Sequence, residues 1–342
     1  MKKSFQQHIH VLRGVAISLI VVAHTLPSLD WRAHPQLEGW LDALGNQASV
    51  IFFFIAGYLF QHLSPRFDYR SYLRQKLRTV ILPYLILSVP ALIVFTVLTQ
   101  RQFMFSGFYD MPVWQQVGIF LLTGKHLAPL WFVPTITLFY LAAPLLLWVD
   151  RRQPWLYWLI LPLLALSTWI GRGGQLGPLN FALYLLPVYL LGMAFSHHSE
   201  RALQLVGRWR LPLLAVMLLY GAGHALSLDE PPCWLLPSKV AMALLLTWAL
   251  SRWHGKIGHR LDEIADLSFG IFFIHAYFIL ALKLIAVYVL EGRVYNGVGE
   301  QGIPGNLFTF LIYAGLVMLV SVLVLRLARR VFGARSRMIV GA

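Results

Sequence analysis

Ten apolar runs, most of them long enough to cross a bilayer as a helix, follow one another along this chain. Hydrophobic residues make up 58% of its 342 residues and charged residues only 12%, which is too apolar for an ordinary soluble domain. The sequence therefore predicts a polytopic membrane protein. The runs lie near residues 9–29, 46–63, 80–99, 128–148, 154–171, 181–196, 211–228, 233–251, 265–290 and 306–327.

The runs predict an all-α bundle of about ten transmembrane helices. No polar stretch between them is longer than about 30 residues, which is short for a separate soluble domain, so we expect residues 1–342 to form a single domain. An even number of spans places both termini on the same side. One further apolar segment, residues 113–122, is too short to cross and is expected to be interfacial or re-entrant.

The distribution of basic residues predicts the orientation. Of the 28 Lys and Arg, 20 fall in the loops on the N-terminal side of these spans, five in the opposite loops and three inside the runs. This asymmetry follows the positive-inside rule, so both termini are expected in the cytoplasm. The net charge of +14 is thereby explained by topology and by contact with anionic lipid, and no nucleic-acid partner is expected.

Three Lys or Arg side chains within the runs are costly in a bilayer and need an explanation. Arg13 lies in the first run, Lys239 in the eighth and Lys283 in the ninth. Lys239 lies near a run end and is expected to reach the headgroups, whereas Lys283 is deeper and is expected to take part in a hydrogen bond or an ion pair.

The first run also carries His24, eleven residues after Arg13. At about 100° per residue the two side chains return to nearly the same helix face, and they stand roughly 16 Å apart along the axis. One face of the first helix therefore presents a permanent cation near one surface and a titratable base about half-way across.

The pattern of Arg, ten residues and His in a first transmembrane helix resembles the motif of the acyltransferase-3 family of integral-membrane acyltransferases. Four further segments resemble that family in the expected order. They are IFFFIAGYLF at 51–60, YLRQKLRTVILPY at 72–84, LWFVPTITLFYLAAPLLL at 130–147 and LSFGIFFIHA at 267–276. The chain departs from the family at one point, because many members carry a Glu a few residues after the Leu-Trp-Phe, where this chain has Thr135, Ile136 and Thr137.

The resemblance implies an O-acyltransferase of the inner membrane. The donor would be acetyl-CoA or another acyl-CoA from the cytoplasm, and the acceptor would be a hydroxyl of a cell-envelope or exported carbohydrate. Membrane lipid and polysaccharide biosynthesis proteins would be its further partners. Transfer directly to the acceptor and transfer through an acyl-histidine both remain open.

The site residues are predicted from the same motifs. His24 would act as general base and Arg13 would hold the donor phosphates, with Arg74, Lys76 and Arg78 helping to bind the nucleotide. Supporting roles are expected for Ser268, His275, Trp131 and Gly57, and His275 would orient the thioester or stabilise an oxyanion. Each has a plainer alternative: helix packing for His24, His275 and Gly57, lipid contact for the cations, and interfacial anchoring for Trp131.

No metal site is expected. The single cysteine, Cys233, excludes a multi-thiolate site, and the histidine pairs lack enough neighbouring ligands. The competing functional class is a transporter or flippase for a glycan precursor or an organic anion, with the intramembrane ionisable residues along its pathway.

Overall fold

A computed structural model describes residues 6–46, 48–101, 104–171, 177–226, 235–291 and 303–342, and Cys233 lies outside these ranges. The described chain is helical, with one isolated bridge between Asp30 and Pro304, so the predicted all-α fold is confirmed. The α-helices are α1 Gln7–Thr25, α2 Pro35–Gly45, α3 Ala48–Leu63, α4 Tyr69–Lys76, α5 Leu82–Ile93, α6 Val113–Thr123, α7 Phe132–Leu141, α8 Ala143–Arg152, α9 Ile160–Ile170, α10 Pro178–His197, α11 Ser199–Arg208, α12 Arg210–Ala225, α13 Leu235–Glu291, α14 Leu307–Phe332 and α15 Ser336–Ile339.

Six described segments are long and apolar enough to cross a membrane, and up to eight if two bent helix pairs each count as one span. These six are Gln7–Ser28, Pro35–Leu63, Tyr69–Leu98, Pro178–His197, Leu261–Val289 and Leu307–Ile339. The chain is therefore a multi-pass membrane protein. The count of ten spans and the orientation in the membrane remain predictions.

The short apolar segment at 113–122 belongs to one of the bent pairs. Helix α6 and the following Ala128–Leu141 meet at 70°, which makes them a broken span or a re-entrant loop. Gly124 stands at the break with φ +71°, and a Cβ there would lie 2.4 Å from the Trp131 backbone nitrogen, so only glycine fits. His126 completes the break: its Nδ1 lies 3.1 Å from the Phe120 carbonyl oxygen and its Nε2 2.8 Å from the Ser88 hydroxyl.

Helix α13 is helical over 57 residues but cannot be straight. Lys239 and His275 would stand about 54 Å apart on a straight axis. Instead, a short series of contacts connects the two residues. Lys239 donates a hydrogen bond to Asn46 at the end of α2, and α2 packs against α1 beside His24. The His24 ring in turn contacts the His275 ring. The helix must therefore turn back on itself, and its two arms correspond to the separately predicted runs 233–251 and 265–290.

The predicted position of Lys239 at the headgroups is wrong. Its side chain is only 4% exposed, and its ammonium donates to the Asn46 side-chain oxygen at 3.1 Å. Because a buried cation needs hydrogen-bond acceptors, this bond accounts for a charge that the sequence left without a partner. Lys283 is also buried, at 9% exposure, and its hydrogen bond or ion pair stays a prediction.

Helices α3 and α10 cross closely because glycine replaces a side chain on each of them. A Cβ on Gly57 would lie 2.0 Å from the Tyr189 carbonyl oxygen, and one on Gly192 would lie 2.1 Å from the Phe54 carbonyl oxygen. Small residues allow helix backbones in a membrane to approach in this way. The crossing holds α3 and α10 together, and α3 also packs against α1 and α13.

The two ends of the described chain lie at the same end of the bundle. Gln7, near the start of α1, donates to Asp262 at 2.8 Å, and Arg326, near the end of α14, forms a bidentate pair with Glu263 at 2.5 Å for both bonds. We call this the basic end, because the basic run at residues 70–78 and the last residues of the chain also lie there.

Candidate active site

Helix α1 presents Arg13 and His24 to the same neighbour. The Arg13 Nε donates to the Ala265 carbonyl oxygen at 3.0 Å, and the His24 ring lies 5.3 Å from the His275 ring, centroid to centroid. Arg13 and His24 are eleven residues apart on α1, and their partners Ala265 and His275 are ten residues apart on α13 in the same order. The two helices therefore run side by side in the same direction. The predicted common face of Arg13 and His24 is confirmed, and it faces the second arm of α13.

The approach of α1 to α13 is close at the level of Arg13. A Cβ on Gly14 would lie 3.1 Å from the Leu261 carbonyl oxygen and 3.4 Å from the Ala265 Cβ. This contact brings the backbone of α13 within reach of the guanidinium. The first helix could not bind Ala265 through Arg13 if a larger residue held the two helices apart.

Arg13 is partly buried and belongs to a polar cluster at the basic end. Its Nη2 lies 3.5 Å from the Nδ1 of His10, and the Nε2 of His10 lies 3.7 Å from Asp262 and 3.8 Å from Asp266. Asp266 also attracts the Arg13 charge directly. Among the described residues, these contacts use the Nε and Nη2 of Arg13.

His275 is fully buried, and its hydrogen bond assigns its tautomer. Nδ1 lies 2.8 Å from the Ile271 carbonyl oxygen, and because a carbonyl can only accept, Nδ1 carries the hydrogen. Nε2 of the neutral ring is then an acceptor, and it is buried with no hydrogen-bond partner in the described structure. A neutral His275 could not donate from Nε2 to an oxyanion, but it can orient an N–H or O–H donor.

An orphaned acceptor of this kind is costly inside a protein. Buried polar atoms without partners are therefore often found where a ligand or reacting group supplies the missing bond. His24 lies against this ring. The pair is the candidate centre of the site, and Ser268, two helical turns before His275, is buried on the same side of α13.

Aromatic side chains enclose this centre from the side of α7. The Phe132 ring lies 5.4 Å from Phe272, and Phe272 lies 6.5 Å from His275. Trp131 packs against Phe181 of α10 at 5.0 Å. Phe132 and Phe272 therefore form an apolar wall beside His275, as a site that excludes water would need.

Thr135 and Thr137 stand in the segment where many members of the family carry a Glu. Thr135 is fully buried, and its hydroxyl donates to the Trp131 carbonyl oxygen at 2.8 Å, one helical turn earlier. Thr137 donates to Val133 at 2.7 Å. Both hydroxyls donate to backbone carbonyl oxygens one turn earlier, and neither carries the negative charge of a carboxylate at neutral pH.

The predicted donor-binding cations divide into two groups. Arg74 and Arg78 are exposed on the basic run. Lys76 turns inward instead, with its Nζ 5.3 Å from the centre of the Tyr72 ring and 4.9 Å from that of Tyr140. Cation–π contact with two rings holds this ammonium in place.

Gly57 does not reach the histidine pair by any contact that the structure records. It lies at the crossing of α3 and α10, against the Tyr189 carbonyl oxygen. Its effect on the site is through packing, since α3 also carries Phe53, whose ring lies 5.0 Å from Phe132.

Sequence reasoning missed the acidic partners around Arg13. Asp262 and Asp266 come one turn apart at the start of the second arm of α13, and only the fold shows that this arm lies against α1. Among the described residues, no group of three or more His, Cys, Asp or Glu side chains is arranged to hold a metal ion.

The site therefore combines two contacting histidines between two membrane helices, one of them fully buried, with cations at one end of the bundle. The chain is identified by its match to a family model described as an acyltransferase domain, which covers residues 7–326. The protein belongs to the acyltransferase-3 family and is a membrane acyltransferase.

One curated protein similar to this chain is the succinoglycan biosynthesis protein ExoH of Rhizobium meliloti (strain 1021). The two are 27% identical over 353 residues, which covers 94% of this chain and 89% of that protein. No solved structure matches the chain.

Proposed function

We propose that this acyltransferase moves an acyl group, with acetyl the expected one, from acyl-CoA at the basic end to a hydroxyl of a carbohydrate at the opposite end. Membership of the acyltransferase-3 family supports the reaction class. The similar protein named for succinoglycan biosynthesis supports a carbohydrate acceptor, since sugar hydroxyls are the groups that an O-acyltransferase would modify.

The contact between His24 and His275 is the observation that carries the proposal. The acceptor hydroxyl gives its proton to a ring nitrogen of His24 while its oxygen attacks the thioester carbonyl carbon. The carbon–sulfur bond then breaks, and the departing thiolate takes the proton from the His24 imidazolium. The products are an ester and free CoA thiol.

His275 acts as a positioning residue in this scheme. Its Nδ1 is fixed by the Ile271 carbonyl, so its Nε2 can accept a hydrogen bond from the reacting groups. A buried acceptor that is already in place costs no reorganisation during the reaction. The apolar wall that includes Phe132 and Phe272 keeps water from competing with the sugar hydroxyl.

Arg13 holds the donor at the basic end, roughly 16 Å along the helix from His24. A guanidinium suits phosphate because it carries a permanent positive charge and offers several N–H donors. Lys76 adds a second cation, and Arg74 and Arg78 lie on the same exposed run. The pantetheine arm would then extend from the cationic cluster toward the histidine pair.

The basic end faces the cytoplasm in this proposal, and the membrane is the inner membrane. The excess of Lys and Arg in the loops on that side supports the orientation. Acyl-CoA and the exported acceptor are thereby kept on opposite sides, and the site between the helices connects them.

The test measures acetyl-CoA binding and the release of CoA thiol by purified protein supplied with candidate glycans. His24→Gln should bind acetyl-CoA normally and lose about 10²- to 10⁴-fold in turnover, as expected for loss of a general base. Arg13→Gln should lose binding. His198→Gln, at an exposed histidine after α10, is the matched control and should behave as wild type.

Two outcomes contradict the proposal. One is wild-type protein that is folded yet neither binds acetyl-CoA nor releases its thiol, which would favour the transporter class. The other is His24→Gln with wild-type turnover, which would remove the proposed base.

A further inference from the structure

The chain folds back on itself after α14. Gly333 adopts φ +53°, and Ser336–Ile339 then forms the short helix α15. Helix α15 packs against α5 and against the π-helical segment Leu77–Ile81, which directly follows Lys76. The hydroxyl of Ser336 donates to the Ala342 carbonyl oxygen at 2.5 Å, which closes residues 336–342 into a loop.

This C-terminal loop, residues 336–342, is seated in the bundle. Gly341 and Ala342 are buried against α13. A Cβ on Gly341 would lie 3.1 Å from the Phe273 ring, and one on Gly270 would lie 2.9 Å from the Ala342 Cβ. Gly270 is five residues beyond Ala265, the residue that binds Arg13, so the loop contacts α13 about 7.5 Å along its axis from that bond.

The loop brings Arg337 to the basic end. Arg337 is exposed on α15, which packs against α5 and against the segment that directly follows Lys76. Its charge acts on both Lys76 and Arg13, so cations from three distant parts of the sequence lie at this end. Asp266 offsets part of the charge at Arg13, whereas Glu263 is engaged by Arg326.

Like charges that converge in this way repel one another, and repulsion is relieved when an anion with more than one charge binds between them. Phosphate and diphosphate groups carry several charges and accept the paired hydrogen bonds that arginine donates. Arg337 offers five N–H donors from an exposed position, Arg13 offers donors from a partly buried one, and Lys76 is held by its two aromatic neighbours.

We propose that Arg337, together with Arg13 and Lys76, binds the phosphate groups of the acyl-CoA donor at the basic end. The proposal rests on the proposed function and adds a donor-binding residue to it. Arg337 lies beyond residues 7–326, the part of the chain that matches the family model, so this contribution comes from the C-terminal loop.

The test measures binding of acetyl-CoA and of S-acetyl-pantetheine, which lacks the nucleotide phosphates, to protein in nanodiscs of neutral phosphatidylcholine. Arg337→Gln should weaken acetyl-CoA binding about tenfold and leave S-acetyl-pantetheine binding unchanged, because one charge-assisted contact to phosphate is lost. Arg337→Lys keeps the charge and should recover part of the affinity. Arg335→Gln is the matched control, since Arg335 is also exposed and lies two residues earlier, and it should stay within about twofold of wild type.

A lipid headgroup is the other source of phosphate, and a second arm separates it from the donor. The same variants are compared in nanodiscs that contain phosphatidylglycerol. If Arg337→Gln loses only its preference for anionic lipid and binds acetyl-CoA like the wild type, the donor assignment is overturned. Wild type that binds no acetyl-CoA would instead refute the proposed function itself, and a fall in affinity shared equally by Arg335→Gln would show a general charge effect and also overturn the assignment.

Discussion

Replacing Gly57 by alanine should destabilise the protein by an amount that follows from the crossing of α3 and α10. The added Cβ would lie 2.0 Å from the Tyr189 carbonyl oxygen, whereas ordinary contact begins near 3.4 Å. Neither backbone can give way alone, because each lies within a continuous helix. The two helices must therefore separate by about 1.4 Å at this point.

That separation weakens the packing of every side chain near the crossing. A gap of 0.5–1 Å already forfeits about a quarter to a half of a dispersion contact, and overpacking in a core costs about 1–3 kcal/mol. Gly57→Ala should thus lower the free energy of unfolding by about 2–3 kcal/mol. Gly192→Ala, whose Cβ would lie 2.1 Å from the Phe54 carbonyl oxygen, should cost a similar amount.

The double variant gives the sharper test. Once the helices have separated to admit one methyl group, the second methyl meets much less resistance, so the two costs should not add. We expect the double variant to lose about 3–4 kcal/mol, less than the sum of the single losses. The assay is equilibrium unfolding by SDS in mixed micelles, followed by tryptophan fluorescence.

Gly315→Ala is the matched control, because it lies within α14 and a Cβ there would meet no atom within 4 Å. Alanine is the better helix former, so this variant should be unchanged or more stable by up to about 1 kcal/mol. The reasoning is refuted if Gly57→Ala is as stable as Gly315→Ala, or if the losses at Gly57 and Gly192 simply add.

Two further predictions concern polar contacts away from the histidine pair. Asp150 is buried at the end of α8 and accepts hydrogen bonds from His197 at 2.8 Å and from Tyr157 at 2.7 Å, so Asp150→Ala should cost about 3 kcal/mol in the same unfolding assay, and an unchanged stability would contradict this role. The hydrogen bonds from Arg32 lower the pKa of Asp30 below its usual 3.8, so this pair should stabilise the protein above about pH 4 and lose that effect as the pH falls and Asp30 is protonated. The stability difference between wild type and Arg32→Gln should therefore shrink between pH 6 and pH 3, and a constant difference would contradict it.

The sequence was most informative where periodicity and charge act together. The spacing of Arg13 and His24 predicted one common helix face, and the structure places Ala265 and His275 against it. Hydrophobic runs likewise predicted an all-α membrane protein. These inferences succeed because helix geometry is local and can be read from residue spacing.

The remaining features depend on which helices become neighbours. The partner of Lys239 is Asn46, almost two hundred residues away, and no local pattern connects them. Arg337 is one of five basic residues between 326 and 337, and only the turn after α14 singles it out. The inward turn of Lys76 depends on Tyr140 from α7, which spacing along the basic run could not show.

The boundaries of the spans were also beyond local patterns. The sequence separates 233–251 from 265–290, but the hydrogen bonding of α13 continues through the residues between them. Conversely, the break after α6 follows from Gly124 and from the bonds of His126, which involve Ser88 on another helix. Apolar runs therefore predict which parts of the chain are membrane helices better than they predict where each helix begins, ends or bends.

The central claim is that His24 and His275 act as one unit in acyl transfer, and a double-mutant cycle tests it most directly. Acetyl transfer from labelled acetyl-CoA would be measured for wild type, His24→Gln, His275→Gln and the double variant, with acetyl-CoA binding measured alongside. We predict that the double variant is no slower than His24→Gln alone, because the positioning role of His275 has no effect once the base is gone. Independent effects that multiply in the double variant, or a His275→Gln variant with wild-type turnover, would contradict the claim.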